Sequence, residues 1–184
     1  MAHIDRRPGI RPRPTLGRRL DIIARSCFPG IVTILLMLLT QMPIGIYGQA
    51  ELLPAVTMAA VWFWSLARPD TMPPPLVFVI GLMVDLMGYM PLGVTAFTML
   101  AIHGIATSMR RPLAARGFAV IWAVYSLVAF TASVLMWLLV MLLNFHLFPP
   151  NAALFQSVLA VAFYPVIAIP FSAAHHSIAN TDNV

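Results

Sequence analysis

One carboxylate, Asp85, lies in an apolar stretch at residues 73–93 that contains no basic residue. If the stretch is helical, Gly81, Asp85 and Gly88 stand at positions i, i+4 and i+7 and therefore share one face. Small residues let helices approach closely in lipid, and an acid inside a membrane segment usually points into the helix bundle. The spacing predicts a groove on this face that packs against another helix or holds a ligand.

A tight turn is predicted directly after this stretch. Pro91 and Gly93 break the helical pattern and indicate a helix-hairpin turn that returns the chain antiparallel. At about 1.5 Å of rise per residue, Asp85 lies about 8 Å from the turn, level with the segment from Thr95 to Thr98. One of these two threonines is therefore the expected partner of Asp85.

Three roles for Asp85 remain open at this stage. It forms a structural hydrogen bond between helices in its neutral form, it shapes a groove that a partner helix enters, or it couples protons or substrate in transport. Proteolysis by paired carboxylates is not indicated, because Asp85 is the only acid inside a predicted span. Since His103 lies about 17 Å from the turn, it is too far away for a proton relay and is interpreted as a hydrogen-bonded packing histidine.

Other candidate chemistry has a structural interpretation. Ser172 near His175, and the neighbouring pair His175-His176, are interpreted as a polar helix end rather than a nucleophile or a metal site. A helical stripe of methionines is interpreted as packing, because methionine fills irregular gaps and no Cys or His joins the stripe; its members are Met83, Met87 and Met90. No catalytic residue, metal site or cofactor is predicted.

The composition is that of a membrane protein. Hydrophobic residues make up 60% of the 184 residues, charged residues only 9%, and the mean hydropathy is +0.88. About a quarter of a typical globular chain is charged. We therefore predict an all-α polytopic membrane protein with six transmembrane helices. The predicted spans are residues 28–46, 52–67, 76–90, 92–109, 117–145 and 152–174.

The eleven basic residues are all arginine, and in the six-span arrangement they all fall on one side of the membrane. The positive-inside rule then places both termini in the cytoplasm. A re-entrant hairpin formed by spans three and four would give the same charge distribution. Trp62 and Trp64 near the end of the second span are expected in the aromatic belt at the membrane interface.

Three regions follow from this arrangement. Residues 1–26 form a cytoplasmic tail rich in Arg and Pro with an interfacial segment from Leu16 onward, residues 27–174 form the six-helix membrane domain, and residues 175–184 form a short cytoplasmic end. Arg18, Arg19 and Arg25 are expected at the membrane surface, where arginines attract anionic lipids. Nucleic acid is not an expected partner.

The central stretch resembles a known family. Its pattern F-x-x-G-x-x-x-D-x-x-G-x-x-x-L-G, which begins at Phe78 and ends with Leu92-Gly93, is similar to the central motif of MreD, a rod shape-determining membrane protein of bacteria. Four flanking matches occur in the same order, and the resemblance covers residues 52–172. These matches are Pro54, Arg68-Pro69, Pro73 and Tyr164-Pro165.

The resemblance implies a function without catalysis. It implies an inner-membrane scaffold of the cell-elongation machinery that contributes to rod shape and peptidoglycan synthesis. The expected partner is MreC and, directly or indirectly, the RodA polymerase, its penicillin-binding transpeptidase and the MreB cytoskeleton. The fold is expected to be similar to the substrate-binding subunits of energy-coupling-factor transporters. The alternative is therefore a membrane subunit that binds a small molecule of the vitamin type in the Asp85 groove.

Overall fold

A computed structural model describes the backbone of residues 16–42, 49–88 and 90–181, and the side chains of residues 27–42, 50–88 and 90–172. This part of the chain contains no strand, which confirms the all-α prediction. A short 3-10 turn, Pro69–Thr71, joins the second helix to the third. The helices are α1 Leu16–Thr40, α2 Gln49–Ala67, α3 Pro74–Met87, α4 Val94–Ala114, α5 Phe118–Asn144 and α6 Asn151–Thr181.

Helix α2 lies at the centre of the bundle and packs against α1, α4 and α6. Trp62 and Trp64 are fully buried on it, so the prediction that they form an interfacial aromatic belt is wrong. Because neighbouring helices cover α2 over most of its surface, its aromatic rings meet other rings instead of lipid headgroups. The ring of Trp62 lies 5.9 Å from that of Tyr125, and the ring of Trp64 lies 5.0 Å from that of Phe171.

The terminal helices extend past the predicted boundaries of the membrane domain. Helix α1 begins at Leu16 and continues across residue 26 without a break, and α6 continues across residue 174 to Thr181. The side chains of Arg18, Arg19, Arg25 and His175 lie outside the described residues. The membrane-surface position predicted for the three arginines and the polar helix end predicted at His175 therefore stay predictions.

Within the described residues, three helices are long and apolar enough to cross a membrane: Ala50–Ala67, Phe118–Asn144 and Asn151–Ser172. Two described apolar helices are shorter, Cys27–Thr40 and Pro74–Met87. With its 14 residues, α3 rises about 21 Å, whereas the hydrocarbon core of a bilayer is about 30 Å thick. The chain is thus a helical membrane protein, and the number of complete crossings stays a prediction.

Candidate functional site

Helices α3 and α4 form a hairpin whose ends follow from local sequence. Pro73 is extended and Pro74 begins α3, where a missing N–H costs no hydrogen bond. Gly93 precedes α4 with a φ of +99°, a left-handed conformation that favours glycine. The N–H of Val94 donates to the carbonyl of Pro91 at 3.3 Å. Pro91 and Gly93 thus lie in the predicted turn.

Asp85 caps the N-terminus of α4 from the preceding helix. Its Oδ2 accepts hydrogen bonds from the N–H of Gly93 at 2.8 Å and of Ala96 at 3.4 Å, while Oδ1 accepts from the N–H of Thr95 at 2.9 Å. The first N–H groups of a helix have no partner within it, and Gly93 has no side chain to supply one. The carboxylate of α3 therefore closes the hairpin.

All the hydrogen bonds of the Asp85 side chain run in one direction. Both oxygens of Asp85 accept hydrogen bonds, and its carboxyl group donates none to the described residues. The N-terminus of a helix carries a partial positive charge, which favours a negative group beside it. Asp85 therefore acts as a hydrogen-bond acceptor at the positive end of the α4 dipole.

Gly81 and Gly88 do not share the same role. A Cβ atom at Gly81 would lie 2.4 Å from Cα of Ala96, so this glycine allows the two helix backbones to touch. Gly88 lies past the end of α3, and a Cβ atom there would lie 3.0 Å from the carbonyl oxygen of Val84 in its own helix. Gly81 thus lies at a close contact between α3 and α4, whereas none of the atoms nearest to a Cβ at Gly88 belongs to α4.

Thr95 and Thr98 are fully buried on α4. Thr95 does contact Asp85, but through its backbone N–H, and its hydroxyl has no partner among the described residues. The hydroxyl of Thr98 donates to the carbonyl of Val94 at 2.8 Å. With Gly81 and Asp85 also buried, the face predicted to form a groove is occupied by α4 of the same chain.

His103 forms a second polar contact in the core. Its Nδ1 lies 2.8 Å from Oγ of Ser65 on α2, and the imidazole is largely buried. This is the hydrogen-bonded packing histidine that the spacing predicted. Met83 and Met87 pack against a small apolar cluster around Met37, as expected of methionines that fill gaps.

A mainly apolar cavity that the sequence did not indicate lies between α2, α5 and α6, at the end where α6 begins. It measures about 470 Å³, and Ser133, Gln156 and Glu51 are among the residues that line it. The Oγ atom of Ser133 is buried without a partner among the described residues, and Nε2 of Gln156 donates to the sulfur of Met136 at 3.4 Å. In the sequence, Ser133 and Gln156 are two of several polar residues in these mainly apolar helices, so nothing distinguished them.

Comparison with known proteins gave one match. The family model described as rod shape-determining protein MreD matches residues 23–172. Neither the curated proteins nor the solved structures contain a match to the chain. The matched region includes the whole α3–α4 hairpin and all the described parts of the other helices except the start of α1 and the end of α6.

Proposed function

The chain belongs to the MreD family of rod shape-determining membrane proteins, and on that premise we propose that it is a non-catalytic scaffold of the bacterial cell-elongation machinery. In this proposal it is a multi-pass protein of the inner membrane with both termini in the cytoplasm. It acts with MreC, and through MreC with RodA, the transpeptidase and MreB. In this way it contributes to rod shape and peptidoglycan synthesis. The family match over residues 23–172 carries the proposal.

The hydrogen bonds and the burial of Asp85 support a structural role for this residue. Its two oxygens are bonded to three backbone N–H groups, and the side chain is only 1% exposed. A group that relays protons needs access to a donor and an acceptor. Asp85 is instead shielded and engaged in closing the hairpin, and His103 is bonded to Ser65.

The exposed helix faces support a scaffold. Only 28% of the apolar, membrane-length segment of α5 is buried, compared with 67% of the corresponding segment of α2. Leu127, Leu138 and Leu142 are all exposed on α5. Such a face offers lipid or the span of another protein a long apolar surface.

Copurification tests the proposal. The full chain, tagged and expressed at its native level, is extracted in mild detergent, and its associated proteins and small molecules are identified by mass spectrometry. We expect MreC among the proteins, at a ratio that does not fall when the detergent is exchanged. Repeated recovery of the intact protein without MreC would contradict the proposal.

The cavity beside Ser133 favours one alternative, a membrane subunit that binds a small molecule of the vitamin type for a transporter. The cavity volume of about 470 Å³ falls in the range of about 300–1,000 Å³ that small-molecule sites occupy. Under this alternative, the same mass spectrometry finds a small molecule and an ATPase-bearing module. Gln156→Leu should then abolish retention of the small molecule, whereas the scaffold proposal predicts that the variant retains MreC.

A further inference from the structure

Two neighbouring cavities meet at the C-terminal end of α4. One, of about 500 Å³, is polar and is lined by Thr107, Ser108, Arg110 and Arg111, among others. The second has a similar volume, and its walls are mainly apolar. Arg110 and Ala114 line both cavities, so the two spaces adjoin along this part of α4.

Helix geometry brings the polar groups together. Thr107, Arg110, Arg111 and Ala114 stand at positions i, i+3, i+4 and i+7 and therefore occupy one face of α4. Among the described residues, neither guanidinium group forms an ion pair or a hydrogen bond. The nearby acid Asp70, which follows Pro69 of the polar cavity, is exposed and is not paired with either arginine. Two cationic groups thus stand side by side without an anion.

The apolar cavity is a slot between the helices. Phe63 and Leu66 of α2, Leu113 of α4 and Ile121 of α5 line it. Arg110 lines both this slot and the polar cavity. Together the two spaces suit a molecule that carries an anionic group at one end and a hydrocarbon chain at the other.

All the arginines that come after α1 in the sequence lie at this end of the bundle. Arg68 follows α2, Arg110 and Arg111 lie in the last turns of α4, and Arg116 lies in the loop before α5. Under the positive-inside rule, this is the cytoplasmic side. Basic pockets between membrane helices on that side are suited to the headgroups of anionic lipids.

We propose that the paired cavities form a binding site for an anionic phospholipid of the inner leaflet. The lipid phosphate binds to Arg110 and Arg111, and one acyl chain enters the slot lined by Leu66 and Leu113. Arginine suits phosphate because its planar guanidinium forms two parallel, charge-assisted hydrogen bonds. The site lies at the C-terminal end of α4, whereas Asp85 caps the N-terminal end of the same helix, and the site does not depend on the proposed scaffold function.

The first experiment separates a defined site from general attraction to basic surface. The full-length protein is purified in detergent at about physiological ionic strength, where exposed charges are screened beyond about 8 Å, and is titrated with phosphatidylglycerol or phosphatidylcholine. Native mass spectrometry then measures the occupancy. We expect preferential retention of phosphatidylglycerol, and about a tenfold loss of affinity for each of Arg110→Gln and Arg111→Gln, since hydrogen bonds to charged groups are individually strong.

Arg116→Gln is the matched control. It removes the same charge a few residues further along the chain, in the loop after α4, but Arg116 lines neither cavity. We expect its affinity for phosphatidylglycerol to stay within about twofold of the native value, since screening weakens distant exposed charges. An equal loss in Arg116→Gln and Arg110→Gln would overturn the proposal in favour of general surface attraction. Thermal unfolding in the same detergent checks that each variant is folded.

A second experiment distinguishes a lipid from free phosphate. Ala114 lines both cavities, so Ala114→Phe is expected to obstruct their junction and reduce retention of phosphatidylglycerol about tenfold, because it blocks the chain that the apolar slot would hold. Inorganic phosphate at millimolar concentration should displace little lipid from the native protein. Efficient displacement by inorganic phosphate, or full retention of lipid by Ala114→Phe, would overturn the assignment to a phospholipid.

Discussion

Replacing Gly81 with alanine is expected to force α3 and α4 apart. The added Cβ would lie 2.4 Å from Cα, 2.9 Å from N and 3.2 Å from Cβ of Ala96, and the first two of these atoms belong to the backbone and cannot rotate away. Carbon atoms in contact normally lie about 3.5–4.0 Å apart, so the helices must separate by about 1 Å. Overpacking of this kind costs about 1–3 kcal/mol.

The separation should also weaken the cap on α4. Asp85 follows Gly81 by one helical turn, and its three hydrogen bonds reach the N-terminus of α4 across the same contact. Interhelical hydrogen bonds in membranes contribute about 0.6 kcal/mol on average and at most about 1.7 kcal/mol. We therefore expect Gly81→Ala to lower the free energy of unfolding by about 2–4 kcal/mol when both effects act.

Gly104 supplies a matched control on the same hairpin. A Cβ atom at Gly104 in α4 would meet nothing within 4 Å. Gly104→Ala should be neutral or stabilising by up to about 1 kcal/mol, because glycine is unfavourable inside a helix. Equilibrium unfolding in detergent, followed by tryptophan fluorescence, measures both variants. If the two variants unfold at the same denaturant concentration, the close contact between Gly81 and Ala96 is refuted.

Three further predictions concern the cap, the turn and the topology. Asp85→Asn should destabilise the protein less than Asp85→Ala, but by at least about 1 kcal/mol in the unfolding assay, because an amide presents one acceptor oxygen where the carboxylate presents two; equal stability of Asp85→Asn and the native protein would contradict the cap. Gly93→Ala should cost about 1–2 kcal/mol in the same assay because of its left-handed φ of +99°, and an unchanged unfolding curve would contradict this geometry. In a Cys27→Ser background, cysteine at Asn151 should react with an impermeant reagent in intact cells and cysteine at Ala114 should not; labelling at Ala114 would contradict the six-span arrangement.

The positions of most helices followed closely from the sequence because apolar runs and the Pro and Gly residues between them are local signals, although α1 ends at Thr40, before the predicted end of the first span at residue 46. The predicted span 117–145 corresponds to α5 at Phe118–Asn144, and the predicted turn at Pro91 and Gly93 lies between α3 and α4. The rise per residue also placed Asp85 level with Thr95. Helical periodicity and chain length were sufficient for these features.

The details of the site needed tertiary structure. Spacing put Thr95 beside Asp85, but it did not indicate that the backbone N–H, rather than the hydroxyl, donates the hydrogen bond. Gly88 fits the i+7 pattern only if α3 continues, and the helix ends at Met87. The cavity beside Ser133 joins residues of α2, α5 and α6, which are distant in the sequence. Side-chain direction and contacts between distant helices therefore limited the prediction.

The most direct test of a shape-determining scaffold measures the length-to-width ratio of cells. The cells lack their own copy of this protein and express the native chain or a variant at a matched level in the membrane. The native chain should restore rods, Asp85→Asn should restore them largely, and Gly81→Leu should leave the cells round because it disrupts the hairpin. Rods with Gly81→Leu, together with round cells in which Asp85→Asn is inserted normally, would contradict the structural role of the hairpin and favour proton coupling by Asp85.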